Sequence, residues 1–120
     1  MCDVYKEFNH ALKTLLRELI AAYPMVKELK PMLLLYKVMK TVNRKMPQKY
    51  FHQLIAEHHY NNIISKNYDF FISDDFNDKE VSYIMSPLKN IFKTLTEDER
   101  TIIWEHMILL LSCNNKCIKI

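Results

Sequence analysis

The chain contains no glycine in 120 residues, where average usage of about 7% would supply roughly eight. Phosphate-cradling loops, dinucleotide fingerprints, nucleophile elbows and calcium loops each need a residue without a β-carbon at a sharp turn or close to a ligand. None can be built here in its usual form. Helix interiors need no such residue, so the absence favours a helical chain that ends its helices by other means. Asparagine is the natural substitute in the left-handed conformation, which points to Asn43, Asn67 and Asn114 as helix stops.

Apolar spacing supports the same architecture. Between Asp3 and Tyr23, residues Val4, Phe8, Leu12, Leu15, Leu19 and Tyr23 recur at intervals of three and four and draw one stripe on a helix. Pro24 closes it. Pro31 suits the first turn of a second helix running to about Asn43, and Met32–Tyr36 is apolar almost all round. Pro47 opens a third helix through Ala56 or beyond, with Phe51, Leu54 and Ile55 inward. A short helix near Tyr60 to Lys66 follows, and then an aromatic connection through Phe70 and Phe71. Asp78 reads as an N-cap, and Pro87 predicts a kink in the helix it opens. Thr96 and Glu99 form a capping box before a last helix carrying Ile103, Trp104, Met107 and Leu111 to about Ser112.

The expected fold is all-α, a compact bundle of about five helices in a single helical domain over residues 1–120. The second helix and the Trp104 helix should lie near its centre, with Trp104, Phe51, Phe70 and Phe71 as its aromatic heart.

Composition narrows the functional classes. Apolar residues make up 49% of the chain and charged ones 26%, and no stretch approaches the 18 or so uncharged apolar residues of a membrane span. Met1–Tyr5 lacks the basic-then-apolar order of a signal peptide. Three cysteines, an odd number, fit free thiols in a reducing compartment better than a disulfide framework. The net charge of +3 rests mainly on lysines, a small footprint for a nucleic-acid binder.

Three constellations could carry chemistry. Cys113 and Cys117, with Cys2 or His106, have the look of half a zinc site, but structural zinc needs paired ligands from two knuckles and only one pair is present. His52, His58 and His59 beside Glu57 lack the i, i+4 arrangement of a helical zinc pair, and surface histidines are the simpler reading. Asp69, Asp74, Asp75, Asp78 and Glu80 lack a calcium loop's sharp turn. No serine or cysteine has a recognisable base and orienting group. The expectation is therefore a non-enzyme, with no catalytic residue, no metal and no cofactor.

Lys49–Ala56, then Asp69–Ile72, then Leu95 through Ile103, Trp104 and His106 to Leu110 follow an order that resembles small uncharacterised helical proteins of nucleocytoplasmic large DNA viruses. The resemblance implies a viral source, in host cytoplasm or virion, and transfers no catalytic residue. Abundant Lys, Asn and Ile would also follow from an AT-biased genome.

The functional expectation is a protein–protein interaction or structural module, able to self-associate as a homo-oligomer through an apolar helix face. Met32, Leu35, Tyr36 and Met39 are the candidate interface, because methionine and tyrosine adapt well to contact surfaces. The alternative is weak nucleic-acid binding through Lys37, Lys40, Arg44, Lys45 and Lys49, of which Lys37, Lys40 and Arg44 share one helix face.

Overall fold

In the computed structural model, which describes residues 3–67, 69, 86 and 89–119, Asp3 starts the first helix. Its carboxylate accepts from the amides of Tyr5 and Lys6 at 3.1 and 3.2 Å, satisfying two of the donors that a helix start leaves unpaired. Helix α1 then spans Val4–Ala22 and buries Phe8, Ala11, Leu15, Leu16 and Leu19. Pro24 lies in the turn that follows. Helix α2 spans Leu29–Val42 with Pro31 in its first turn, where a missing N–H breaks no bond.

The next segment departs from the expected pair of separate helices. Helix α3, Met46–Phe51, continues without a break through a wider π-helical turn at His52–Ala56 into α4, Glu57–Ile64. The π turn holds an extra residue inside one continuous rod. Neither proline nor a turn residue lies at the junction to mark it in the sequence.

The rod ends at Lys66, whose φ is 55°. Its amide donates to Ile63 O at 3.1 Å, and that of Asn67 donates to Asn62 O at 3.0 Å, the paired bonds of a Schellman stop. The left-handed position thus falls one residue before the expected Asn67. Asn43 ends α2 with extended backbone, and Asn114 does not end a helix at all.

Residues 89–94 are helical, and Thr96 and Glu99 form the expected capping box at the head of α5, Glu97–Ile118. Helix α5 runs well past Ser112, because Cys113, Asn114 and Cys117 are buried against the rest of the protein. The fold is all-α, with no strand among the described residues, and its radius of gyration of 13.8 Å is that of a compact globule of this length.

The most extensive pairing sets α1 against α5, and the core gathers Phe8, Leu15, Leu19, Ile63, Phe92, Trp104, Leu110 and Leu111. Trp104 meets Phe92 edge-on at 5.2 Å, and Phe51 lies half-buried against Phe8 at 5.4 Å, both favourable aromatic geometries. Phe70 and Phe71, the Asp78 cap, the Pro87 kink, Cys2 and the acidic residues 74–80 lie outside the described residues. Helix α2 is peripheral, against expectation: of its fourteen residues only Leu29 and Tyr36 are buried. Its apolar surplus faces outward because α1 and α3 meet only one side of it.

Candidate functional site

The position of α2 opens an apolar groove among the described residues. Tyr36 anchors the helix, its hydroxyl donating to the carbonyl of Asn9 at 3.1 Å, while Asn9 Nδ2 donates to Arg44 O at 2.9 Å. A single buried asparagine on α1 therefore fixes both α2 and the turn after it. Between these anchors and α3, the groove has a volume of about 340 Å³. Leu12 and Leu16 of α1 line it, with Phe51 and Ile55 from the rod. Pro31, Met32, Leu35, Tyr36 and Met39 form one wall; Pro47 and Tyr50 belong to the other.

All four expected interface residues, Met32, Leu35, Tyr36 and Met39, thus line one groove, though on different terms. Leu35 is exposed, Met32 and Met39 are half-buried, and Tyr36 is buried with its hydroxyl committed to Asn9. The sequence reading missed the outer face of the same helix. Leu34, Val38 and Val42 follow one another at intervals of four and are 63%, 53% and 70% exposed. Their spacing was available, but only the structure shows that no described element covers it. Groove and stripe meet at Leu35, giving one continuous apolar surface.

The five expected basic residues separate into two pairs and a lone lysine. Lys37 and Lys40 lie near Lys13 of α1, whose ammonium is held below the usual lysine range by Arg17 and by partial desolvation, with Lys40 and Lys37 adding to the effect. Arg44 instead pairs with Asp3 and stands over the Tyr5 ring at 5.8 Å, where Lys45 Nζ also sits at 5.3 Å. Lys49 is exposed on α3. The five do not form one continuous track.

A second constellation lies where the π turn meets α5. Gln48 Nε2 donates to Asn114 Oδ1 at 2.8 Å, and Asn114 Nδ2 donates to His52 Nδ1 at 3.3 Å. Gln48 and Asn114 are buried and His52 is half-buried, so His52 is a packed, hydrogen-bonded residue and not a surface one. Cys113 and Cys117 flank Asn114 as buried free thiols. Burial pushes both thiols up, Cys117 to about 11, which disfavours the thiolate that metal binding and nucleophilic attack require. Among the described residues, no three His, Cys, Asp or Glu side chains stand where they could hold a metal ion.

A smaller recess of about 250 Å³ lies between α1 and α5, lined by Leu15, Leu19, Tyr23, Ile102 and His106 among others. The His106 ring meets Glu18 at 2.6 Å. Burial, then the Glu99 carboxylate, raises the Tyr23 hydroxyl above its ordinary range. Among the described residues, no helix is long and apolar enough to cross a membrane. No family model, curated protein or solved structure matches the chain.

Proposed function

We propose that the protein is a non-enzymatic interaction module that packs the groove and outer face of α2 against another polypeptide chain. The observation that carries this reading is the continuous apolar surface from Met32 and Met39 through Leu35 to Leu34, Val38 and Val42. Exposed apolar patches with polar surroundings are what docking surfaces present in an unbound protein. Helix-in-groove recognition uses such a site, with anchors spaced three and four apart on the incoming helix.

A photo-crosslinker placed at position 35 tests it, with position 66, on the opposite end of the rod, as control. Crosslinks to another chain from position 35 alone support the reading. Equal labelling from both positions, or none from either, refutes it. Sedimentation of the purified protein decides the self-associating form, which a strict monomer removes.

The reading includes a viral source and a place in host cytoplasm or virion, supported by the residue order at 49–56, 69–72 and 95–110. Mass spectrometry of purified particles and of infected cytoplasm tests it, and absence from both counts against it. One observation favours the competing nucleic-acid reading: Lys13, Arg17, Lys37 and Lys40 gather on one side of the α1–α2 pair. That reading predicts retention of DNA or RNA that falls steeply with salt and loses slope when these cations are neutralised.

A further inference from the structure

We infer that the chain that docks on α2 is an amphipathic helix of another protein whose polar face is acidic. This rests on the docking reading above and names the chemistry of the partner. Residues 29–56, which form both walls of the groove, carry six basic side chains, Lys30, Lys37, Lys40, Arg44, Lys45 and Lys49, and no aspartate or glutamate. Among the described residues, no ion pair engages Lys30, Lys37, Lys40 or Lys49.

The asymmetry continues onto α1. Its carboxylates Glu7 and Glu18 turn to α5, where they meet Lys116 at 3.6 Å and His106 at 2.6 Å. Its Lys13 instead lies within electrostatic reach of Lys37 and Lys40, with Arg17 one turn further along α1. On α2, Lys30 precedes Leu34 by four residues and Lys37 follows it by three, so both stand one helical turn from the exposed stripe. An incoming helix would place its apolar side on Leu34, Leu35 and Val38 and its edge beside these ammonium groups.

Like charges suppress wrong partners, and opposite charges speed encounter and fix register. A second copy docking α2 against α2 would set lysines against lysines. A nucleic acid would place phosphates against the apolar stripe. A helix with leucines on one face and glutamates on the other answers both halves of the surface.

The test uses the full chain and two synthetic helical peptides of about five turns. They share one leucine face, and glutamate occupies the polar positions of one, lysine those of the other. The glutamate peptide is expected to bind with a Kd about tenfold or more below that of the lysine peptide, with the gap narrowing as salt is raised. Amide shifts should map to Leu34, Leu35 and Val38. Lys30→Glu/Lys37→Glu/Lys40→Glu should reverse the preference. That variant should fold, because all three positions are exposed and positions 37 and 40 lie near Lys13.

Equal binding of the two peptides overturns the acidic partner while leaving the docking site standing. Dimerisation without peptide binding assigns the surface to a second copy and overturns the inference but not the proposed function. Tighter binding of a uridine oligonucleotide than of either peptide overturns both, as does a monomer that binds nothing.

Discussion

Single residues in this chain take on duties usually given to glycine, and Lys66 does so against its own sterics. A β-carbon in the left-handed region is disfavoured by about 1–2 kcal/mol, yet the rod ends there with both Schellman bonds made. Lys66→Gly should therefore stabilise the protein by about 0.5–1 kcal/mol once the greater freedom of glycine in the unfolded chain is subtracted. Urea denaturation measures this, and a loss of stability would mean that residue 66 is not left-handed in solution. The caps make a second prediction at this scale. The Asp3 carboxyl is held below its ordinary range by the Arg44 hydrogen bond and then the Lys6 amide, and Glu99 by the Thr96 amide and then its hydroxyl. Carboxyls with lowered pKa values contribute stability above the ordinary carboxylate range and lose it as pH falls through the folded values. The melting temperature should thus decline below about pH 4, and Asp3→Asn with Glu99→Gln should flatten that decline. Asparagine keeps the cap of α1 but removes the titration and the charge that holds Arg44.

At the scale of elements, the union of α3, the π turn and α4 with α5 depends on a buried amide pair. Asn114 is 1% exposed and supplies the acceptor for Gln48 and a donor for His52. Asn114→Ala should cost about 1–3 kcal/mol, since it strands the Gln48 amide away from water. Gln48→Leu/Asn114→Leu should recover most of that loss, because an apolar pair leaves nothing unsatisfied. Chemical denaturation of the two single variants and the double variant gives the coupling, and simple additivity would show that the amides act independently. This junction also marks where the sequence stops being legible. The α1 stripe and the Thr96–Glu99 box are local patterns, so their positions follow from spacing alone. The π turn has no local signature, and the rod that contains it sends Ile55 and Ile63 into one core. Asn114 has the residue type of a helix stop, and only the tertiary contact with Gln48 turns it into an interior member of α5. Met32, Leu35 and Met39 were legible as a face, but whether that face meets the core or solvent depends on where α1 and α3 lie.

The whole molecule divides stability from surface along α2. The α1–α5 pair carries the core, and Leu111, on the inner face of α5, is completely buried. Leu111→Ala should cost about 2–5 kcal/mol through lost transfer energy and the cavity left behind. The outer face of α2 has no such share, since Leu34, Val38 and Val42 are more than half exposed and line no part of the core. Glutamine is a good helix former and removes their apolar surface without disturbing the backbone. Leu34→Gln/Val38→Gln/Val42→Gln should therefore change stability by about 1 kcal/mol or less, while weakening whatever association the α2 face supports. Thermal melts and binding measured on the same preparations separate the two effects. If the triple variant instead melted like Leu111→Ala, the α2 face would belong to the folding core and would not be a surface held open for a partner.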